Sequence, residues 1–397
     1  MKIKSLTQLK SPKNKVVLLR VDYNVAIKNK RILEEERIRR SLGTIEHLLK
    51  KQAKVVIMSH LGRPDGKKNL AFTMQPIAKF LSNLLRRKVN FVADCRGSLV
   101  QKEIAKMKAG DVLILENLRF YPGEEKNDLV FAKELATGID YYVNDAFAVC
   151  HRAHASVAAI TRYLPAYAGL NLEEEVSKLG KLLRGFKKPS VAIIGGVKIS
   201  TKIKVIDNLL KKYDQVLLGG ALANNFFQVM KINIGQSIYE KDFLAMAKVL
   251  MAKAKKKLVL PLDVRIAYSL KPNSTTENVT LAELAKIKNK NFQIVDIGPR
   301  TEIFYEQIIK SAKTVIWNGP LGIFEIEPFS HGTLYIGHCV ALHAKGPSYG
   351  VVGGGETIAA LEKLKVKAWP DFVSTAGGAM LEFLEGKTLP GLKPLYK

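Results

Sequence analysis

The stretch VAIIGGVKIS, residues 191–200, joins a short β-branched run to a glycine pair and then to helix-forming sequence. This pattern predicts a parallel strand whose carboxyl end offers backbone N–H groups and a helix N-terminus to phosphate. The second half of the chain repeats the pattern in VLLGGALANN (216–225), VIWNGPLGIF (315–324), VVGGGETIAA (351–360) and FVSTAGGAML (372–381). We call each of these glycine-containing turns after a strand a glycine corner. A single glycine corner also occurs in ordinary turns, so it is the repetition that indicates a nucleotide site.

The length and composition indicate a globular protein with two domains. A chain of 397 residues exceeds what one hydrophobic core usually organises, and 47% of the residues are hydrophobic and 25% charged. No apolar run approaches the roughly 18 residues of a membrane span, and residues 1–10 lack a signal-peptide core. We therefore expect a cytoplasmic protein. Cys95, Cys150 and Cys339 have no CxxC spacing, which argues against a disulfide framework or a cysteine-rich metal site.

The formal net charge of +27 raises the question of nucleic-acid binding. The excess lies in scattered lysines and short runs such as residues 253–257, and not in one disordered arm. Aromatic residues make up only 8% of the chain, and neither an RNA-binding aromatic motif nor zinc-finger spacing is present. We interpret the charge as a solvated basic surface that attracts anionic substrates, with weak, salt-sensitive nucleic-acid binding left open.

The first half of the chain predicts another parallel sheet. Apolar strands at 16–21, 55–58, 112–115 and 141–143 alternate with amphipathic helical stretches at 36–50, 74–85, 99–107 and 129–137. Ligands of an open α/β sheet bind at the carboxyl ends of its strands. The polar residues at those ends are Asp22, Asn24, His60, Arg63, Asn117, Arg119, Asn144, Asp145, His151 and Arg152.

Three arginines of that set, Arg63, Arg119 and Arg152, follow different strands at equivalent positions. Guanidinium groups match phosphate and carboxylate geometry, so together with Asp22 and Asn24 they indicate a small phosphorylated acid with a hydroxyl group. Any one of these arginines alone is more often part of a surface ion pair. The two histidines are equally compatible with capping or core positions, so their roles stay open.

Two common nucleotide motifs are absent from the sequence. It contains no GxxxxGK[ST] phosphate loop, and no GxGxxG that follows a first strand and precedes an acidic residue, which argues against a nicotinamide-dependent dehydrogenase. Instead, Lys198 and Lys202 follow Gly195 and Gly196 at a spacing of i to i+4. This spacing predicts both ammonium groups on one face of a helix, near the first glycine corner.

These patterns predict an α/β protein with two Rossmann-like domains, each a parallel sheet flanked by helices, joined by a hinge helix. The expected boundaries are an N-terminal domain at 1–171, an interdomain helix at 172–185 and a C-terminal domain at 186–379. The tail at 380–397 is too short for a core of its own, so we expect it to pack back on the N-terminal domain.

A series of motifs in this chain resembles the phosphoglycerate kinase family, in that family's order and over almost the whole length. The motifs are RVDYNV (20–25), SHLGRP (59–64), LENLRF (115–120), NDAF (144–147), HRAHAS (151–156), GGVKISTKI (195–203), DIGPRT (296–301), WNGPLGIFE (317–325), GGGET (353–357) and LEFLEGKTLPG (381–391). The resemblance implies a hinge-bending, monomeric, cytoplasmic enzyme of glycolysis. Such an enzyme transfers phosphoryl reversibly between 1,3-bisphosphoglycerate and ADP, giving 3-phosphoglycerate and ATP, with Mg²⁺.

The resemblance also implies roles for individual residues. The residues that would hold phosphoglycerate on the N-terminal domain are Asp22, Asn24, Arg37, His60, Arg63, Arg119 and Arg152. Those that would hold the nucleotide on the C-terminal domain are Lys202, Gly219, Gly220, Asn318, Glu325, Gly353, Gly354, Gly355 and Thr357. Within the second set, Lys202 would face the phosphates and Glu325 the ribose.

Transfer to or from a carboxylate needs no deprotonation, so this chemistry requires alignment and neutralisation of charge. We expect Lys198 to follow the moving phosphoryl group and Arg37 to stabilise it from the opposite side. Backbone N–H groups near Gly354, Gly355, Gly377 and Gly378 would provide the remaining hydrogen bonds to the phosphoryl group.

Glu356 departs from the family, which usually has aspartate at this position as the carboxylate linked to magnesium. Glutamate keeps the charge and the oxygen ligands but adds a methylene. We expect retained activity with altered metal affinity or preference, because Mg²⁺ usually keeps several waters that absorb a small shift. The alternative is that Glu356 only stabilises a helix N-terminus through the helix dipole.

Overall fold

The computed structural model describes residues 2–29 and 31–397, which form two compact units. One unit consists of Met1–Ser177 together with Thr388–Lys397, and the other of Lys178–Lys387. Each unit contains a six-stranded sheet in which all neighbouring strands are parallel. The predicted α/β class, with two parallel sheets flanked by helices, is confirmed.

The sheet of the first unit is built around the strand Val16–Arg20, which is buried along its whole length. Val17 and Leu19 belong to one apolar cluster and Leu18 to another, so the sheet has a core on both faces. Burial on both faces explains the continuous apolar run of this strand. In spatial order the strands are Val89–Val92, Val112–Leu115, Lys54–Met58, Val16–Arg20, Tyr141–Asn144 and Ala166–Ala168.

The helix predicted at 36–50 is interrupted at Ser41. The backbone N–H and the hydroxyl of Ser41 both donate to the carbonyl of Ile38, at 3.1 and 2.7 Å. Such local side-chain bonds compete with helical hydrogen bonding. The α-helices that lie in or enter this unit are Glu36–Arg40, Leu42–Lys50, Gln75–Leu85, Gly97–Lys106, Pro122–Glu125, Leu129–Ala136 and Leu170–Leu183. The unit also contains a small antiparallel pair, Ile27–Lys28 with Arg31–Ile32.

Both ends of the chain belong to the first unit. Ile3 forms an antiparallel bridge with Tyr396, and the backbone N–H of Lys4 donates to the carbonyl of Leu395 at 2.7 Å. Further inside, the backbone N–H of Gly391 donates to the carbonyl of Cys150 at 2.9 Å. The last ten residues therefore complete this unit instead of extending from it.

The sheet of the second unit places its strands, counted along the chain, in the spatial order third, second, first, fourth, fifth, sixth. This order puts a topological switch point between the first and fourth strands, where connections leave in opposite directions and a crevice opens. From edge to edge the strands are Leu258–Val259, Gln215–Leu218, Ser190–Ile194, Thr314–Asn318, Tyr349–Gly353 and Phe372–Ser374. Glycine corners follow both strands at the switch point, after Ile194 and after Asn318.

Helices cover this second sheet, with Trp317 and Tyr305 fully buried in its largest apolar cluster. The α-helices are Ile203–Lys212, Ala223–Val229, Leu244–Ala254, Leu281–Leu284, Pro299–Ser311, His331–Ala344, Gly355–Lys363 and Gly377–Leu384. The unit also contains a three-stranded antiparallel sheet in which Asp263–Ala267 pairs with Glu277–Thr280 and with Gln293–Ile297. The sequence patterns above do not predict this sheet, because Glu277–Thr280 is a short and largely polar strand.

No helix in the described ranges 2–29 and 31–397 combines the length and apolar character needed to cross a membrane.

Candidate active site

The loop after the central strand of the first unit holds two of the predicted substrate residues. Asp22 Oδ2 accepts a hydrogen bond from Arg37 Nη1 at 2.7 Å, and Asp22 Oδ1 accepts one from the backbone N–H of Asn24 at 3.3 Å. Asn24 Oδ1 in turn accepts from the backbone N–H of Gly62 at 2.8 Å. The fold thus brings Arg37, 15 residues away from Asp22 in the chain, against this loop.

Arg119 reaches the same loop from a neighbouring strand. Its Nη1 donates to the carbonyl of Gly62 at 2.7 Å, and its Nε lies 3.2 Å from Glu125 Oε1. Burial lowers the pKa of Arg119, Glu125 raises it, and the nearby cation Arg152 lowers it further. A bound anion would offset both the lost hydration and the repulsion, so these surroundings favour a negatively charged ligand.

His60 is a buried neighbour of this cluster, and its Nδ1 lies 3.2 Å from Arg20 Nη2. Burial is the main cause that holds the pKa of His60 well below its usual range, and the positive charges of Arg20 and Arg119 add to it. The imidazole is therefore neutral at neutral pH.

Arg20 is a functional candidate to which the sequence analysis assigned no role, although it begins the motif RVDYNV. It ends the central strand and has 0% of its surface exposed. Its Nε donates to Ser156 Oγ at 2.9 Å, and Glu124 accepts from the backbone N–H of Ser156 at 2.9 Å and from its hydroxyl at 2.6 Å. The sequence did contain a signal for this role, since Arg20 is a charged residue at the end of an otherwise apolar strand. Arginine is almost never fully buried without partners, so a buried network around it could have been expected.

Arg63 and Arg152 differ from the buried cations, because their side chains are exposed. Arg152 Nε donates to His151 Nε2 at 3.2 Å. The structure therefore joins Asp22, Asn24, Arg37 and Arg119 through the backbone of Gly62. It places the other two arginines after strands of the same sheet, as exposed cations.

In the second unit, three glycine corners pack main chain against main chain. The backbone N–H of Gly196 donates to the carbonyl of Pro320 at 2.7 Å, and a Cβ on Gly195 would lie 2.0 Å from that oxygen. A Cβ on Gly220 would lie 2.7 Å from the nitrogen of Gly196, and one on Gly219 would lie 2.6 Å from a leucine side chain. With φ of 101° at Gly196 and 67° at Gly220, these positions accept only glycine without strain.

Lys202 occupies the centre of these corners. Its Nζ donates to the carbonyl of Gly195 at 2.5 Å and approaches that of Asn318 at 3.5 Å, and a Cβ on Gly319 would lie 2.4 Å from it. Burial lowers the pKa of Lys202 to about 8, and the negative charge of Glu356 opposes this shift. An ammonium has three donors, so at least one remains for a ligand.

The prediction that Lys198 and Lys202 share a helical face is wrong. The helix begins at Ile203, so both lysines precede it. The positive φ of Gly196 interrupts any helical path after the strand, and the fully buried Ile199 anchors the intervening turn. As a result Lys202 lies inside the corner, whereas Lys198 is exposed.

Glu240 holds this turn and was also missed. It accepts hydrogen bonds from the backbone N–H of Ser200 at 2.8 Å and from its hydroxyl at 2.7 Å. Asn225 clamps the backbone of Glu240, donating to its carbonyl at 2.7 Å and accepting from its N–H at 3.1 Å. Desolvation raises the pKa of Glu240, but the bonds from Ser200 outweigh it and lower the net pKa. No local pattern links residues 40 positions apart.

Two helices at the same sheet edge start at glycines, Gly355–Lys363 and Gly377–Leu384. Neither has a side-chain cap, and a Cβ on Gly355 or Gly377 would meet no described atom within 4 Å. The first N–H groups of these helices are therefore not capped by a side chain of the N-cap residue. Such groups bind anions, because they are unpaired and carry the positive end of the helix dipole.

Asn318 and Thr357 connect the corners to each other. Asn318 Nδ2 donates to the carbonyl of Gly353 at 2.7 Å, and Thr357 Oγ1 accepts from the backbone N–H of Gly319 at 2.7 Å. Thr357 is 0% and Asn318 3% exposed. These two predicted nucleotide residues thus hold the main chain around the site in place.

A cavity of about 140 Å³ adjoins the corners. Its wall includes Gly220, Glu325 and Glu356 from the predicted set, and otherwise is mostly apolar. Asn224 lines it as well, with Nδ2 bonded to the carbonyl of Ile238 at 2.9 Å. An apolar cleft with a few polar groups, close to a helix N-terminus that has no side-chain cap, suits a flat aromatic base linked to phosphate.

Within residues 2–29 and 31–397, no group of three or more His, Cys, Asp or Glu side chains is arranged to hold a metal ion. Glu356 is a single exposed carboxylate in the first turn of its helix. Mg²⁺ at phosphate sites usually takes one or two protein carboxylates and completes its shell with phosphate and water. Glu356 therefore fits an ion that is shared with a phosphate ligand.

Comparison with known proteins gives a consistent result along the whole chain. The family model for phosphoglycerate kinase matches residues 6–387. The phosphoglycerate kinase of Pelobacter propionicus is 44% identical over 100% of this chain and 98% of its own length. That of Moorella thermoacetica is 45% identical over 96% of both chains.

Solved structures agree with the sequence comparisons. The phosphoglycerate kinase structure from Coxiella burnetii has a TM-score of 0.88 and 41% identity, and the match covers 99% of both chains. The one from Pyrococcus horikoshii has a TM-score of 0.84 and 32% identity, covering 99% of this chain and 98% of the other. The similarity therefore includes both units.

Proposed function

Because this chain belongs to the phosphoglycerate kinase family and is therefore a phosphotransferase, we propose that it moves a phosphoryl group between 1,3-bisphosphoglycerate and ADP. The products are 3-phosphoglycerate and ATP, and the reaction belongs to glycolysis. Among structural features, the packing of three glycine corners around Lys202 carries the proposal. Corners of this kind let the main chain approach phosphate closely, which side chains would prevent.

The proposed phosphoglycerate site is the cluster on the first unit. Its ligand has a phosphate, a carboxylate and a hydroxyl group, which require cations and polar acceptors on one small surface. Exposed arginines can reach out to the phosphate, and the buried groups around Gly62 can hold the remaining polar groups. The residues assigned to this site are Asp22, Asn24, Arg37, His60, Arg63, Arg119 and Arg152.

The proposed nucleotide site lies at the switch point of the second sheet. The apolar cavity would hold the base, Glu325 the ribose, and Lys202 with the uncapped helix N-termini the phosphates. Thr357 would act mainly through the backbone of Gly319, since its side chain is buried. The other assigned residues are Gly219, Gly220, Asn318, Gly353, Gly354 and Gly355.

Transfer itself would need no general base, because the acceptor is a carboxylate. Lys198 is exposed and would follow the moving group, and Arg37 would face it from the phosphoglycerate side. Backbone N–H groups near Gly354 and Gly377 would stabilise the charge that spreads over its oxygens. Glu356 would hold the Mg²⁺ that accompanies the nucleotide, and the ion would neutralise phosphate charge.

Movement of the two units is part of the proposal. Transfer requires the acyl phosphate and the nucleotide within bonding distance, and enclosure protects the acyl phosphate from water. The helix Leu170–Leu183 contains the division between the units, at Ser177, and is therefore the proposed hinge helix. We expect a cytoplasmic monomer, as the family resemblance implies, with nucleic-acid binding limited to weak attraction by the basic surface.

ATP formation from 1,3-bisphosphoglycerate and ADP with Mg²⁺ tests the function, measured for wild type, Lys198→Ala and Lys204→Ala. Lys204 is a matched control, since it is another exposed lysine but lies on the following helix. We expect the rate to fall on the order of 10²-fold or more in Lys198→Ala and to stay unchanged in Lys204→Ala. A folded wild type without turnover would contradict the reaction. Full turnover of Lys198→Ala would contradict only the role of that lysine.

A further inference from the structure

Arg20 forms a buried network directly behind the proposed phosphoglycerate site. The guanidinium makes three contacts: Nε donates to Ser156 Oγ at 2.9 Å, Nη1 donates to the carbonyl of Val21, and Nη2 lies 3.2 Å from His60 Nδ1. The hydroxyl of Ser156 donates onward to Glu124 Oε1 at 2.6 Å. Every bond has an unambiguous direction except the one to the imidazole, whose protonation must be inferred.

The chemistry of arginine settles that direction. A guanidinium has five N–H donors and no acceptor, and it stays protonated in proteins. His60 Nδ1 can therefore only accept from Nη2, which leaves the single proton of the neutral ring on Nε2. Among residues 2–29 and 31–397, no hydrogen-bond partner of His60 Nε2 is found, so this N–H remains for a ligand.

We propose that Arg20 is a positioning residue that fixes His60 as the Nε2–H tautomer, so that a neutral imidazole donates to an oxygen of bound phosphoglycerate. This inference rests on the proposed function for the identity of the ligand. The tautomer itself follows from the geometry of the unliganded protein. Arg20 thereby serves the site without touching the substrate.

The surroundings of His60 keep the ring neutral as well as oriented. The charged or titratable groups that face it are Arg20, Arg119, His154 and Arg37. Burial and these neighbours all lower the pKa of His60, so a second ring proton does not bind near neutral pH. The Nε2–H of His60 therefore donates a directed hydrogen bond to a ligand oxygen, while the surrounding arginines supply the positive charge that attracts the anion.

Glu124 and Ser156 hold Arg20 in this role. Glu124 is 0% exposed, and it accepts from both the backbone N–H and the hydroxyl of Ser156. Burial raises the pKa of Glu124, and the charge of Arg20 together with the Ser156 bonds opposes that shift. The carboxylate and the guanidinium are thus buried together with a hydroxyl between them, which prevents the arginine from turning away from His60.

The direct test is ¹⁵N NMR of the histidine rings in the full-length wild type without ligand. The chain has seven histidines, and a His60→Gln variant identifies the signals of His60. We expect an unprotonated Nδ1 and a protonated Nε2 at neutral pH, and no titration of the ring near the ordinary pKa of histidine, since burial and the neighbouring cations hold the pKa of His60 well below that value. A proton on Nδ1, or a ring that titrates near its ordinary pKa, overturns the proposal. The spectrum is recorded without turnover, so a failure of the tautomer proposal can be distinguished from a failure of the proposed reaction.

A second test compares Arg20→Gln, Arg20→Lys and Ser156→Ala by the KM for 3-phosphoglycerate, each divided by the wild-type value at the same pH. Loss of the guanidinium in Arg20→Gln removes the donor to His60 Nδ1, while burial, the main cause of the low pKa of His60, remains. We expect the ratio to rise above 1 at pH 7.5 in Arg20→Gln, with the KM for nucleotide unaffected. Arg20→Lys and Ser156→Ala retain the cation and should give a ratio closer to 1.

A folded Arg20→Gln protein with a ratio near 1, or with a ¹⁵N spectrum that still shows only the Nε2–H tautomer of His60, contradicts the role of Arg20. If that variant does not fold, because removal of the buried guanidinium leaves the charge of Glu124 uncompensated, the wild-type spectrum decides alone.

Discussion

The two parallel sheets of this protein present different chemical groups at their carboxyl ends. In the first unit the edge carries polar and charged side chains, with Arg37 bonded to Asp22, Arg119 to the carbonyl of Gly62, and His60 in contact with Arg20. In the second unit the edge carries main chain, with three glycine corners packed around Lys202. In a site built from side chains, one side chain can be removed while the fold is kept. In a site built from main chain, even a single added Cβ at the most closely packed glycines would clash with neighbouring backbone atoms.

This difference matches the ligands that we assign to the two units. Phosphoglycerate is small and needs several directed contacts, which long side chains provide from a distance. A nucleotide presents a chain of phosphates, which backbone N–H groups and helix N-termini contact along their length. The predictions below test whether each unit depends on the kind of group that its structure suggests.

The largest effect should come from Gly195→Ala, since a Cβ there would lie 2.0 Å from the carbonyl oxygen of Pro320. We expect a loss of at least about 3 kcal/mol in the stability of the second unit. Urea unfolding followed by tryptophan fluorescence measures it, because both tryptophans, Trp317 and Trp369, lie in that unit.

Gly355→Ala is the matched control for that experiment. A Cβ at Gly355 would meet no described atom within 4 Å, so stability should be retained while the affinity for ADP falls. Equal unfolding midpoints for Gly195→Ala and wild type would show that the corners are less closely packed than described.

An intermediate effect is expected from Arg119→Met in the first unit. The variant loses a charged donor from the cluster, which corresponds to a rise of roughly tenfold to 100-fold in the Kd for 3-phosphoglycerate. The Kd for ADP should not change. Isothermal titration calorimetry with each ligand separately measures both values.

Arg96→Met provides the control for Arg119→Met. Arg96 belongs to the same unit, pairs with Glu134 and lies over the ring of Tyr121, outside the cluster. Its loss should leave the Kd for 3-phosphoglycerate unchanged. If both variants weakened binding equally, general positive charge and not the cluster would account for the affinity.

The smallest effect concerns Lys202, a buried side-chain cation at the centre of the main-chain site. Burial lowers its pKa to about 8, so the ammonium is present below pH 8 and loses its proton as the pH rises through 8. We expect the affinity for ADP to decline by at most about tenfold between pH 7 and 9. Calorimetric titration at several pH values measures the decline, and Lys198→Ala should show the same profile. A flat wild-type profile would mean that Lys202 keeps its charge throughout.

Sequence patterns were sufficient for the fold class because they are local. Each strand before a glycine corner is a continuous apolar run, and the structure places Ser190–Ile194, Gln215–Leu218 and Thr314–Asn318 side by side as parallel strands. The same patterns did not predict Glu277–Thr280, because an exposed strand of an antiparallel sheet carries mostly polar residues.

The side-chain networks could not be predicted from the sequence because their members are far apart in the chain. The contact of Arg20 with Ser156 spans 136 positions, and that of Glu240 with Ser200 spans 40. The prediction that Lys198 and Lys202 lie on one helical face was wrong for a different reason. Their spacing is helical, but the positive φ of Gly196 delays the helix until Ile203, which a spacing rule does not include.

The position of the chain ends affects how the protein can be made. Residues Thr388–Lys397 belong to the first unit, where the N–H of Gly391 donates to the carbonyl of Cys150, yet the ribosome makes them after the whole second unit. The second unit can therefore fold as soon as residue 387 has emerged. The first unit cannot form the bridge between Ile3 and Tyr396 until Tyr396 has been synthesised. During synthesis, the part of the chain that is translated first is thus the part that is completed last.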